Sequence, residues 1–235
     1  MSSEQPLPAL HLHTYFRSSC AARLRIALNL KNLPYTTSYV NLLKGEQHSA
    51  EHKQLNPSGT VPVLVITSKD PNGAETSFSI GQSIAALEYL EEITANTTDN
   101  LNLLPPVTDV KTRAQIRTLV QIMASDIQPV TNLRIQKRVS ALGADNTAWA
   151  RELMQDGFRA LETVLKDTAG EYCVGDGLSL ADVCLVPAVW AALRIGVELR
   201  EYPVLERVWG RLEELEAVKK AHWKRQGDTP EELRG

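Results

Sequence analysis

Residues 9–31, ALHLHTYFRSSCAARLRIALNLK, change period midway, and that change governs the reading of the rest of the chain. In ALHLHTY, 9–15, apolar and polar side chains alternate as in a half-buried strand, and RSSC then interrupts the alternation. From Ser19 to Lys31 the apolar residues Leu24, Ala27, Leu28 and Leu30 recur at helical spacing, with Ser18 or Ser19 available as the cap. The chain thus opens β then α. YTTSYVN, 35–41, is rich in β-branched and aromatic residues and predicts a second strand, completing a βαβ unit. A polar stretch, 44–55, holds a short helix at most and leads through NPSG to VPVLVIT, 61–67, a third strand beginning at a proline. DPNG, 70–73, predicts a hairpin turn into a fourth strand, ETSFS, 75–79. IGQSIAALEYLEEI, 80–93, then sets Ile84, Leu87, Leu90 and Ile93 along one helical side.

Asn, Thr, Asp and paired prolines mark an exposed connector around 94–109, and the periodicity beyond it is helical throughout. Val110, Ala114, Leu119, Met123 and Ile127 predict one long helix, and Leu153, Phe158, Leu161 and Leu165 another. SLADVCLVPAVWAALRI, 179–195, predicts a helix buried on most sides, and YPVLERVWGRLEELEAV, 202–218, an amphipathic last one with Pro203 near its first turn. The expected architecture is an α/β domain over 1–95 (βαβ followed by ββα), a linker over 96–108 and an all-α domain over 109–235.

Composition narrows the function. With 43% hydrophobic and 23% charged residues the chain has the makeup of a folded enzyme-sized protein. Its 25 Lys+Arg against 28 Asp+Glu give a net charge of −3 with no long block of either sign, which argues against nucleic acid or an anionic membrane as main partner. No stretch approaches the roughly 18 to 20 apolar residues of a spanning helix, and MSSEQPLPAL at the start lacks a basic segment followed by an apolar one. A cytoplasmic protein is expected. Cys20, Cys173 and Cys184 are too few and too scattered for a disulfide framework or a zinc cluster, so no metal is expected.

Three short features carry chemistry. RSSC, 17–20, gathers two hydroxyls, a thiol and unpaired amides at the positive end of a helix, a place that stabilises an anion such as a bound thiolate. An ordinary thiol ionises near pH 8.5, so a thiolate at pH 7 needs about one to two units of stabilisation. Equally, Ser18 or Ser19 can be a plain cap and Cys20 a small buried residue. Val61-Pro62 can be an ordinary strand edge or a cis bond. Gln82-Ser83 can hold a ligand carboxylate at a helix start, or Ser83 can simply cap it. His11 and His13 on alternating strand positions read as structural, His48, His52 and His222 as surface residues, and Arg134 and Arg138 as a solvated helix face. Ser179 and Asp182 form a capping-box variant.

The succession of these features along the chain resembles a thioredoxin-like glutathione domain. YFRSSCAARLRIAL, LNPSGTVPVL, IGQSIAALEYLEE, IQPVTNL, GEYCVGDGLSLADVCLVP and DTPEELRG together resemble the zeta-class glutathione transferases, the maleylacetoacetate isomerases, over almost the whole chain. The resemblance implies a cytosolic glutathione transferase fold, glutathione as cofactor, a homodimer, and isomerisation of maleylacetoacetate to fumarylacetoacetate in tyrosine and phenylalanine catabolism. A thiolate would add to the cis alkene, the resulting single bond would rotate, and elimination would restore the trans alkene. Carried over residue by residue, it implies that Ser18 faces the glutathione sulfur with Ser19 and Cys20 beside it and Arg23 one turn in. It further implies that Val61, before a cis Pro62, pairs with the cysteinyl part, that Gln82 and Ser83 grip the γ-glutamyl end, and that Gln47 reaches the glycine end. Gln128, Asn132 and Leu133 match positions near the ligand, and Arg194 matches the arginine that holds a small acidic alkene substrate. Ala22 stands where the family usually has tryptophan, which implies a wider pocket or a changed substrate preference. The same site could conjugate or dehalogenate small α-halo acids. A non-catalytic interaction module would be expected to have lost the Ser-Ser-Cys site, and a thiol oxidoreductase to carry C-x-x-C, which Ala21, Ala22 and Arg23 replace.

Overall fold

The computed structural model describes residues 7–70, 72–95 and 101–234; Pro71 of the expected hairpin turn and residues 96–100 of the expected linker lie outside that set. Two compact units form, one from Met1–Leu101 together with Lys220–Gly235, the other from Asn102–Lys219.

The first unit contains β1 (Ala9–Thr14), α1 (Ser19–Leu30), β2 (Thr36–Tyr39), α2 (Ala50–Leu55), β3 (Val63–Lys69), β4 (Glu75–Ile80) and α3 (Ser83–Thr94). Its sheet has the order β2-β1-β3-β4, with β1 parallel to β2 and antiparallel to β3, and β3 antiparallel to β4. A parallel pair cannot be joined by a tight turn, and α1 is the required crossover. The alternation in β1 buries Leu10, Leu12 and Thr14, and the register sets Leu12 opposite Leu64 and Leu10 opposite Ile66. Leu24, Ala27 and Leu28 of α1 and Leu87 and Leu90 of α3 are fully buried, as their helical spacing requires. At the β3–β4 turn the Asp70 carboxylate accepts from the amides of Asn72 and Ala74, and Gly73 takes φ +83°. Lys31 Nζ, buried just past the end of α1, lies 2.7 Å from Glu91 Oε1 and donates to Thr94 Oγ1 and the Leu101 carbonyl, tying α1 to α3.

The second unit is helical: α4 (Val110–Gln121), a π-helical turn (Ile122–Ile127), α5 (Gln128–Thr131), α6 (Leu133–Ala141), α7 (Asn146–Thr168), α8 (Leu180–Arg194) and α9 (Pro203–Glu213), with α10 (Glu216–Ala221) leading out of it. The single helix expected over 110–127 therefore changes winding at Ile122. Pro129 has no N–H for an i→i−4 bond, and Gly157 of α7 approaches so closely that a Cβ there would sit 2.1 Å from Ile127 Cγ1. The last helix, expected over 202–218, breaks between Glu213 and Glu216. Its start is held by buried Glu162, whose carboxylate accepts from the amides of Val204 and Leu205. Asp182 accepts from Ser179 N, Ser179 Oγ and Cys173 N, so the expected cap of α8 also fixes the preceding loop.

One boundary differs from the sequence reading. Residues 220–234, expected in the helical domain over 109–235, pack in the first unit. Trp223 and Leu233 lie against the buried cluster Tyr15, Phe16, Val40 and Val61, and Asp228 Oδ2 accepts from Phe16 N at 2.8 Å. Such short turns have too few residues to display a period.

Candidate glutathione site

The turn between β1 and α1 places the first group of residues. Ser18 is the N-cap of α1: its Oγ accepts from Ala21 N at 3.2 Å, and its own N–H donates to the Tyr15 carbonyl at 3.0 Å. Since the cap uses only a lone pair of the hydroxyl oxygen, the Ser18 proton remains available to a ligand anion. Ser19 and Cys20, both half-buried, open the first turn of the helix, where the dipole favours negative charge. Sequence left the cap open between the two serines; the structure assigns it to Ser18.

One turn further, Arg23 is buried and its Nη1 donates to Ser83 Oγ at 3.1 Å. Ser83 is the buried first residue of α3, and Gln82, the exposed residue before it, makes no side-chain cap bond. Gln82 and Ser83 thus stand at a second helix N-terminus, linked by Arg23 to the first. Gly81 brings a further residue close: a Cβ there would lie 2.7 Å from the Asn56 side chain. Asn56 Nδ2 donates to the Thr60 carbonyl at 2.9 Å, and its Oδ1 accepts from Ser58 N. His52 Nε2 donates to the same carbonyl at 2.9 Å. Two buried side chains therefore hold the backbone just ahead of Val61-Pro62, which is cis and buried. His52 is 5% exposed, a correction to its surface assignment: its polar sequence neighbours face water while its ring turns inward. His11, as expected, is engaged structurally, with Thr36 and Ser38.

Gln47 lies in the 3-10 turn Glu46–His48, its Nε2 3.1 Å from His48 Nε2, and its Oε1 is buried without a hydrogen-bond partner among the described residues. A ligand donor such as a peptide N–H would satisfy that oxygen. Ala22 is buried, at 2% exposure.

The remaining candidates belong to the second unit. Gln128 begins α5, Asn132 caps α6 through Oδ1 to Ile135 N at 3.0 Å, Leu133 is exposed at the start of α6, and Arg194 is exposed at the last position of α8.

Two residues escaped the sequence reading. Arg25 is 1% exposed and donates to Thr14 Oγ1 (2.8 Å), Phe16 O (3.1 Å), Tyr15 O (3.4 Å) and Ala221 O (3.3 Å). Burial lowers its pKa to about 10, so it stays charged at neutral pH. Asp228, on the returning tail, holds Phe16 N; burial raises its pKa, against the pull of Phe16 N and of Arg25.

The first unit thus holds two hydroxyl-bearing helix starts joined by a buried arginine, a cis-proline strand entry and an orphan amide oxygen. Residues 17–93 match the glutathione S-transferase N-terminal domain and residues 143–216 the glutathione S-transferase C-terminal domain. The chain is 57% identical to maleylacetoacetate isomerase maiA of Aspergillus fumigatus over 97% of its own length and 96% of that protein's. The chain belongs to the zeta-class glutathione transferase family. A maleylacetoacetate isomerase of Anaeromyxobacter dehalogenans, solved with glutathione bound in its active site, superposes with a TM-score of 0.82 at 37% identity, covering 96% of this chain and all of that one. A bacterial zeta-class maleylpyruvate isomerase gives a TM-score of 0.82 at 36% identity, covering 94% of this chain and 100% of that one. In this zeta-class chain, α1 and its cap lie inside the matched N-terminal domain, and the Asp228 tail lies beyond both matched segments.

Proposed function

We propose that this protein is a glutathione-dependent cis-trans isomerase converting maleylacetoacetate to fumarylacetoacetate. The observation that carries the reading is the Ser18 hydroxyl, held at the α1 N-terminus by Ala21 N with its proton free to donate, in a chain 57% identical to a maleylacetoacetate isomerase. Bound glutathione supplies a thiolate that adds reversibly to the alkene and is released unchanged.

The residues of the chain bind and stabilise. Ser18 donates to the sulfur, and the α1 N-terminus with Ser19 and Cys20 favours its negative charge. Val61, entering β3 at the cis bond, pairs its backbone with the cysteinyl part. Gln82 and Ser83 take the γ-glutamyl carboxylate, with Arg23 fixing the Ser83 hydroxyl. Gln47 Oε1 accepts from the glycyl amide, which satisfies an otherwise unpartnered buried oxygen. From the helical unit, Gln128, Asn132 and Leu133 contact the substrate, and Arg194 holds its carboxylate and stabilises the anionic charge that develops on it. We further infer a cytoplasmic homodimer. An apolar surface available to a second copy is Phe78 on β4, 52% exposed and edge-on to Tyr89 at 5.6 Å.

A spectrophotometric assay of maleylacetoacetate, or of maleylacetone, tests the reading: conversion to the trans isomer must require glutathione without consuming it. Stoichiometric loss of glutathione would instead mark a conjugating transferase. Maleylpyruvate is the second substrate to assay, because a protein of that activity shares the fold at 36% identity.

A further inference from the structure

We propose that Asp228, on the C-terminal tail, is a positioning residue for the Ser18 hydroxyl, acting through the backbone of Phe16. The inference rests on the reading of Ser18 given above and adds to it a residue far outside the sequence of the site.

Both backbone polar groups of Phe16 are held by charged side chains. Its carbonyl accepts from Arg25 Nη2 at 3.1 Å, and its N–H donates to Asp228 Oδ2 at 2.8 Å. Arg25 Nη1 also reaches Thr14 Oγ1 and the Tyr15 carbonyl, and that same carbonyl accepts from Ser18 N at 3.0 Å. Ser18 is thus fixed on its helix side by Ala21 N and on its turn side by a frame of charge-assisted bonds whose outer member is Asp228. Arg25 Nε also donates to Ala221 O, a second tie between that frame and the tail.

Docking of the tail alone does not account for a carboxylate here. Trp223 and Leu233 already pack on the Tyr15, Phe16, Val40 and Val61 cluster, while Asp228 Oδ1 is buried with no hydrogen-bond partner among the described residues. Asp228 itself is half-buried, and leaving its one buried oxygen unsatisfied costs stability, so an apolar residue would dock the tail better. What the acid contributes is the acceptor that Phe16 N requires: Phe16 is 3% exposed, and without Asp228 its amide would be buried and unpaired. Only Arg17 separates Phe16 from Ser18, so freedom at the Phe16 amide transfers directly to the cap.

The test compares Asp228→Ala with Asp228→Asn in the full chain, reading three quantities: the ultraviolet absorbance of the thiolate at saturating glutathione, kcat for isomerisation, and the melting temperature. Asp228→Ala is expected to lower both the thiolate signal and kcat about tenfold, the usual consequence of losing a charge-assisted bond. Asp228→Asn keeps an oxygen for Phe16 N and is expected to restore both to within about threefold of wild type. A lower melting temperature with unchanged thiolate and kcat in Asp228→Ala would reduce the residue to a docking role and overturn the proposal. Asp228→Asn as impaired as Asp228→Ala would also overturn it, because charge and not the Phe16 bond would then matter. Should Asp228→Ala fail to fold, hydrogen exchange of the Phe16 amide decides: slow exchange in both wild type and Asp228→Asn supports the bond, and fast exchange in the variant overturns it. A wild-type protein giving no thiolate signal would instead defeat the underlying reading of Ser18.

Discussion

Arg23 Nη1 donates to the hydroxyl of Ser83 across 3.1 Å, joining the first turn of α1 to the first residue of α3. Both side chains are buried, at 2% and 6% exposure, so the bond is shielded from water. It links two helix N-termini, which begin 64 residues apart at Ser19 and Ser83; in the proposed function both face the anionic groups of glutathione.

Ser83→Ala should therefore act on glutathione binding more than on chemistry. The KM for glutathione is expected to rise about tenfold, the value of one charge-assisted hydrogen bond, with kcat within about twofold of wild type. Steady-state rates with glutathione varied at saturating substrate measure both. A fall in kcat at unchanged KM would move Ser83 from binding to stabilisation of the reacting sulfur.

Capping and catalysis at Ser18 can be separated. Ser18→Ala removes both and should cost about 0.5 to 2 kcal/mol of stability with a much larger loss of isomerisation. Ser18→Asp keeps a cap acceptor for Ala21 N, and a carboxylate at a helix start favours the fold, but it sets a negative charge where the thiolate should form. Near-wild-type denaturation with activity at or below that of Ser18→Ala is the expected outcome. An active Ser18→Asp enzyme would transfer the role to Ser19 or Cys20.

Arg194→Met keeps much of the stem at the last position of α8 and deletes the charge. For acidic substrates kcat/KM should fall about ten- to a hundredfold, the range of a carboxylate bond worth about 1.5 to 3 kcal/mol, while glutathione affinity holds. Comparing an acidic substrate with an uncharged acceptor is the measurement. Equal losses on both would leave Arg194 as a helix-end cation interacting with the last carbonyls.

His222, expected from the sequence at the surface, is half-buried with its ring 5.4 Å from that of Trp223, and it makes stability depend on pH. Burial, followed by the charges of Lys224, Arg225 and Arg25, lowers its pKa from the ordinary 6.5 to about 4. Between those values the unfolded chain binds more protons than the folded one, so this residue's contribution is present above about pH 6.5 and is lost as pH falls toward 4. His222→Gln should flatten the drop in urea midpoint between pH 7 and pH 5. An identical drop in the variant would assign the acid sensitivity to other groups.

Local signals were legible in the sequence because local physics produces them. The switch from alternation to helical spacing at Arg17 located the end of β1 and the start of α1, and Gln82-Ser83 stood at the start of α3 as its polar pair suggested. The π-helical turn was not legible: Val110 to Ile127 keep a helical spacing, and the close approach of Gly157 to Ile127 exists only in the folded chain. Arg134 and Arg138 read as a solvated helix face, as α6 bears out, but its bounds were not legible because its short polar sequence carries only Val139 as a buried residue.

By itself the sequence determined the order of elements in the α/β unit, the hydroxyl-rich helix starts and the family resemblance, all of which are written in neighbouring residues. Tertiary structure alone decided which serine caps α1, that His52 turns inward, and that Arg25, in RLRIAL beside Arg23, is a buried organiser of the Ser18 turn. It alone decided that the tail returns to the α/β unit, where Asp228 meets an amide 212 positions earlier in the chain. The reason is physical: a period or a cap records interactions within a few residues, whereas a buried charge is tolerated only where distant segments supply its partners, and the sequence near Arg25 or Asp228 carries no mark of them.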